Sequence, residues 1–171
     1  MIENDEVSMK YIIREAQIHE KEAVNTAHVL SIREICSKDY SPEQIAGWSG
    51  VIYSDEVWIN SLTNHFYRVV EVDGAIEGFC HANYHGENLG EIRGLYFTPK
   101  IKGHGIGKEI VELAKKYLID LGAKKIVIGA TKTAKPFYEK MGFIATGEEK
   151  LYHTRGTAFE YYPMEMIVTK L

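Results

Sequence analysis

Three glycines spaced two apart, Gly103, Gly105 and Gly107, stand between an apolar run broken at Pro99 and a stretch of helical periodicity. Ile106, Ile110, Leu113, Ala114, Tyr117, Leu118 and Leu121 recur every three or four positions, which predicts a helix from Gly105 to Leu121 closed by Gly122. A strand that turns through glycine into a helix N-terminus is an anion site in outline. Backbone N–H groups there lack helical acceptors, the helix dipole adds positive potential, and glycine lets a phosphate oxygen reach the backbone. Two familiar phosphate motifs fail on this stretch. G-x-G-x-x-G requires glycine where Lys108 stands, and a P-loop requires glycine at Lys102 and Ser or Thr at Glu109.

The segment Lys102-Gly103-His104-Gly105-Ile106-Gly107 resembles the acyl-coenzyme A pyrophosphate loop, Q/R-x-x-G-x-G/A, of the GNAT acyltransferase superfamily. Both glycines of the pattern match, and Lys102 replaces the usual Gln or Arg. Further along, Ala134 to Phe143 resembles the family's A-x-x-F-Y-E-K-x-G-F signature, in the right order behind the loop. Thr131 stands where the family often has Asn. Lys38 to Trp48 is similar to an uncharacterised bacterial branch of the superfamily, which fixes no substrate.

The resemblance implies acetyl-coenzyme A as co-substrate and a primary amine of a small molecule or protein as acceptor. It implies that N–H groups from Gly103 to Lys108, with His104 and Ile106 among them, hold the diphosphate. Leu95, Tyr96 and Phe97 would pair the pantetheine arm through their backbone, because this strand splays from its neighbour in the family; that is strand addition by a cofactor. Thr131 would complete the cofactor set. Acyl transfer also needs an acid for the departing thiolate and a base for the amine, whose free pKa is about 10.4. By resemblance Tyr138 is the acid and Glu91, at the start of the central strand, the base. His81 and His85 are alternative bases. Strand alternation puts Glu91, Arg93, Leu95 and Phe97 on one side and Ile92, Gly94 and Tyr96 on the other. Glu91 could instead pair with Arg93 or Arg68.

The elements that must position these residues follow from punctuation and periodicity. Residues 11–16 read as a first strand and Ile18 to about Cys36 as a helix with Val24, Ala27, Ser31 and Ile35 inward. Ser41-Pro42-Glu43-Gln44 is a capped helix start, and a further helical stretch covers about 55–62. Strands at 66–72 and 75–84 flank Asp73-Gly74, a hairpin signal. Then come a strand at 91–97, the helix, a strand at 125–130, a short helix at 134–141 and a last hairpin around Arg155-Gly156. The order predicts a mixed α/β fold: a central, twisted, mostly antiparallel sheet of about seven strands with helices on both faces, the element order of the GNAT fold.

Length and composition fit one soluble domain spanning residues 1–171, with 45% hydrophobic and 26% charged residues. Two distant cysteines, Cys36 and Cys80, suit reduced thiols and a cytoplasmic location. The polar, acidic segment 1–7 and the lack of a long apolar run exclude a signal peptide and a membrane span. The net charge of −4 is unevenly spread: residues 100–140 hold ten Lys against four acidic residues, and the remainder is acidic. That distribution suits a polyanionic cofactor beside a cationic amine and disfavours nucleic acid, including charged tRNA, as partner. No metal is expected, since His81 and His85 are four apart on a strand with no third ligand. Trp48, Trp58, Tyr40, Tyr152, His153, Tyr161 and Tyr162 are candidates for an aromatic acceptor pocket. A non-catalytic acyl-coenzyme A sensor is the competing function, and a homodimer is left open.

Overall fold

Asp73 and Gly74 both take positive φ, 52° and 79°, so the hairpin expected there forms with the twist that suits two strands. It joins β2 (Phe66–Val72) to β3 (Ala75–Gly86), and a second tight turn through Glu87 and Asn88 leads into β4 (Leu89–Phe97). The molecule is known from a computed structural model that describes residues 9–169. The segment 1–7, read above as excluding a signal peptide, lies outside the described residues.

The remaining strands are β1 (Ile12–Glu15), β5 (Lys125–Thr131), β6 (Ile144–Ala145), β7 (Lys150–Thr154) and β8 (Thr157–Ile167). They form one sheet in the order β1-β2-β3-β4-β5-β8-β6, with β7 also on β8. Every pairing is antiparallel except β4 with β5. The expected count of about seven becomes eight. Residues 146–149 interrupt the final hairpin, and the two-residue β6 pairs separately with the far part of β8.

Helices cover both faces, as expected. On one face α4 (Ile106–Asp120) lays Ile110, Ala114 and Leu118 over Val70, Cys80 and Ile92 of the sheet. The short α5 (Lys135–Lys140) adds Tyr138 to the same core. On the other face α1 (Lys21–Leu30) and α3 (Asp55–Asn64) bring Val24 and Trp58 onto Tyr67, Val69 and Phe79. The helix α2 (Pro42–Ser49) brings Ile45 and Trp48 onto Phe159. The capping box at Ser41 forms: its hydroxyl accepts from Gln44 N at 3.2 Å, and Gln44 Oε1 accepts from Ser41 N at 2.9 Å.

The first helix departs from its expected course. After α1 the residues Ser31–Ile35 form a π turn, which inserts an extra residue into the helical period. The inward stripe therefore moves from Ile35 to Ile32 and Cys36, which are 0% and 5% exposed. Among the described residues no helix is long and apolar enough to cross a membrane.

Candidate active site

The site is built on a split in the sheet. The parallel ladder between β4 and β5 holds only at Leu89–Lys125, Gly90–Ile126 and Glu91–Val127. Beyond it β4 runs on to Phe97 and β5 to Thr131 without pairing each other. On its other edge β4 stays bonded to β3, but the register steps from Ala82–Ile92 to His81–Gly94. Arg93 is the inserted residue of a β-bulge.

That bulge overturns the simple alternation. Ile92 is buried in the α4 core, and a side chain at Gly90 would meet Leu118. Past the extra residue, Leu95 and Phe97 pack on that same core. Glu91 therefore does not share a side with Leu95 and Phe97. It lines the opposite cavity together with Tyr96, because the extra residue shifts the side-chain period by one.

Two cavities meet at the split. The first, of about 400 Å³, is lined by Leu95, Tyr96 and Phe97, by the loop residues Lys102, Gly103, Gly105, Ile106, Gly107 and Lys108, and by Thr131 and Tyr138. Gly103 and Gly105 take φ of +88° and +78°, and a side chain at either would meet no atom within 4 Å. The loop backbone is thus open toward any ligand. Gly105 caps α4, and among the described residues no backbone carbonyl accepts from the N–H groups of residues 103–107. His104 is exposed and lies outside the lining of both cavities. The π turn contributes Ser31 and Ile35 to the wall, and Cys36 follows directly after it, a contribution the sequence did not announce.

Tyr138 is 2% exposed and set edge-on to Phe137 and Phe143, with ring centroids at 5.1 and 5.6 Å. Phe143 is core, whereas Phe137 also lines the cavity. The Tyr138 hydroxyl makes no hydrogen bond among the described residues, yet the only sealed, unpartnered side-chain polar atom there is His28 Nε2. The phenol oxygen therefore opens on the cavity that Tyr138 lines. Burial pushes its pKa well above 10, so the proton stays on. Thr131 Oγ1 accepts from Ala134 N at 3.1 Å, which fixes the entry to α5 and leaves its hydroxyl proton free to donate.

The second cavity, of about 600 Å³, lies across the split and shares Arg93, Gly94, Tyr96, Gly129 and Thr131 with the first. Trp48, Trp58, Tyr152 and Tyr161 line it, together with Tyr67 and Phe79. Tyr40, His153 and Tyr162 do not. The Tyr40 hydroxyl instead donates to Glu160 O at 2.6 Å and accepts from Lys132 N at 2.8 Å, a structural tie between chain segments. Tyr162 donates to Glu149 at 3.0 Å.

Glu91 pairs with neither Arg93 nor Arg68. Its Oε2 is 2.7 Å from His85 Nε2, and Arg68 pairs with Glu15 at 2.9 Å. His81 has its own partner, His65, with Nδ1 of His65 2.8 Å from Nε2 of His81 and the rings stacked. Burial, with help from His65 and Arg93, pushes His81 down to about 3. Both rings stay neutral and share a single hydrogen bond, so His81 is a poor proton acceptor.

Residues 36–168 match a family model described as an acetyltransferase (GNAT) domain. The chain is 31% identical over 90 residues to an uncharacterized N-acetyltransferase of Archaeoglobus fulgidus, covering 47% of this chain and 61% of that protein. It is 29% identical over 96 residues to the uncharacterized N-acetyltransferase YjgM of Escherichia coli, covering 52% and 58%. The likeness thus spans less than two thirds of either relative. Among solved structures, a GCN5-related N-acetyltransferase from Rhodopseudomonas palustris superposes with a TM-score of 0.81 at 20% identity, over 94% of this chain and 98% of that one. The PaiA N-acetyltransferase of Thermoplasma acidophilum, in complex with coenzyme A, gives 0.74 at 23% identity, over 94% and 100%. These two likenesses establish the fold.

Proposed function

Because the chain belongs to the acetyltransferase (GNAT) family, we propose that it moves an acetyl group from acetyl-coenzyme A to a primary amine of a small molecule or protein. The observation that carries this reading is the meeting of two cavities at the β4–β5 split. One holds the open glycine loop and the Tyr138 hydroxyl, the other Glu91 among aromatic rings. An acyl donor and an amine entering from opposite sides would meet across the Arg93–Tyr96 backbone.

The residues present fit the donor. Open N–H groups at 103–107 and the α4 N-terminus suit a diphosphate, with Lys102 and Lys108 beside them. The backbone of Leu95, Tyr96 and Phe97, unpaired toward β5, suits the pantetheine amides. When bound, the thioester supplies the activated acetyl carbonyl. Glu91, supported by His85, takes the proton from the incoming ammonium. Backbone N–H groups at the split would steady the oxyanion as the amine nitrogen displaced the thiolate, the C–S bond breaking and the nitrogen's second proton passing to solvent.

The departing thiolate takes the Tyr138 proton, which solvent replaces after the products leave. A phenol with a raised pKa remains a competent acid because burial raises thiols too. Cys36, in the wall of the same cavity, is pushed up to about 11 and Cys80 to about 12.

We further take residues 1–171 as one domain acting in the cytoplasm, with no nucleic-acid or membrane partner. The test is a panel of amines with acetyl-coenzyme A, followed by release of free thiol. Turnover on at least one amine is expected. Tight coenzyme A binding with no turnover across a broad panel would favour a non-catalytic sensor.

A further inference from the structure

We propose that the amine acceptor carries a carboxylate beside its amine, as an amino acid does, and that Arg93 binds that carboxylate. The inference rests on the acyl-transfer reading and names the substrate class of its acceptor side.

The bulge is what puts Arg93 in position. As the inserted residue between Ile92 and Gly94, it lines both cavities at the point where they join. Its guanidinium has no counter-ion among the described residues. Glu91, two residues before it, is engaged by His85. The charge is nevertheless felt inside the acceptor cavity, where it bears on Tyr53, His65 and His81. With those histidines neutral, Arg93 is the one fixed cation in a lining that also holds the carboxylates Glu56 and Glu91.

One cation, a base carboxylate two residues away and aromatic walls complement a zwitterion with an apolar side chain. A polyamine would set a second ammonium against Arg93. A simple alkylamine would leave the exposed guanidinium to water and gain nothing from it. A guanidinium can grip a carboxylate through two parallel hydrogen bonds, a geometry an ammonium cannot copy.

Matched pairs differing only in the carboxylate test this: phenylalanine with phenethylamine, tryptophan with tryptamine, and phenylalanine with its amide. Wild-type kcat/KM should favour the carboxylate member by about tenfold or more, the scale of a hydrogen-bonded charge pair. In Arg93→Gln that ratio should fall toward one, and in Arg93→Lys it should recover in part. Coenzyme A affinity, measured by calorimetry on each variant, reports the donor side separately. A wild-type ratio at or below one overturns the proposal, as does a ratio that survives Arg93→Gln. Inert pairs alongside intact coenzyme A binding and turnover of other amines overturn it too, while leaving acyl transfer standing. Failure of the wild-type protein to bind coenzyme A or to acetylate any amine overturns both readings.

Discussion

Tyr138 is a buried ring whose hydroxyl opens on the donor cavity. It is almost fully buried, yet no described residue accepts its proton or donates to it. The hydroxyl ties no described element to another, so phenylalanine at the same place would keep the packing and lose only the oxygen. Tyr138→Phe should therefore leave thermal stability and coenzyme A affinity nearly unchanged. Turnover should fall by roughly 10²–10⁴-fold, the range for a positioned acid. The loss should appear in kcat as well as kcat/KM, since the interaction exists mainly in the transition state. An acyl donor with a more acidic thiol should narrow the gap. Turnover within about twofold of wild type, with chemistry limiting, would return Tyr138 to plain core packing. The identity of this residue was legible in the sequence through the motif around it. Its lack of a partner was not, because that depends on what Cys80, Phe137 and Phe143 place nearby.

At the scale of elements, the glycine loop and the bulge show what a sequence can and cannot reveal. Gly103 and Gly105 stand where φ is positive, so the backbone itself selects glycine and leaves a visible spacing. The bulge at Arg93 leaves no such mark, since arginine suits an ordinary strand position as well as an inserted one. Alternation therefore misassigned Glu91, and the π turn at Ser31–Ile35 was missed for the same reason. Nor could the sequence show where β4 and β5 part, because the splay depends on pairing that no side chain records. The loop assignment can be tested by separating strain from access. Gly105→Val strains a left-handed position by roughly 1–2 kcal/mol and also places a branched side chain where a phosphate would approach. Gly74→Val imposes comparable strain at the β2–β3 turn, with φ +79° and open space around it. Both variants should lose stability. Only Gly105→Val should lose coenzyme A affinity once the folded fraction is accounted for, and equal affinities by calorimetry would remove the loop from the site.

At the scale of the whole molecule, proton and salt responses follow from how charge is distributed. His28 is 6% exposed, its Nε2 is sealed without a partner, and burial lowers its pKa from 6.5 to about 4. The folded protein thus resists a proton that the unfolded chain accepts. The stabilisation is full above pH 6.5 and is lost as pH falls toward 4, by up to roughly 3 kcal/mol. His81 pulls in the same direction. Denaturant titrations across that range should show the decline, and His28→Leu should make it shallower by about one proton. The basic segment behaves differently from what its composition suggested. Of its ten lysines, Lys100, Lys115, Lys116, Lys125, Lys132 and Lys135 are paired with carboxylates, whereas Lys102 and Lys108 line the donor cavity without an ion pair among the described residues. Salt should therefore weaken coenzyme A binding through those two and the loop, not through the whole excess. Raising ionic strength past 0.1 M, where screening acts within about 10 Å, should lower affinity in wild type. Lys102→Gln and Lys108→Gln should each flatten the response, while Lys116→Gln, which removes a lysine already held by Asp120 at 2.6 Å, should leave it unchanged. An equal slope in all three variants would mean that the diphosphate is held by backbone dipoles alone and that the segment's charge serves the surface.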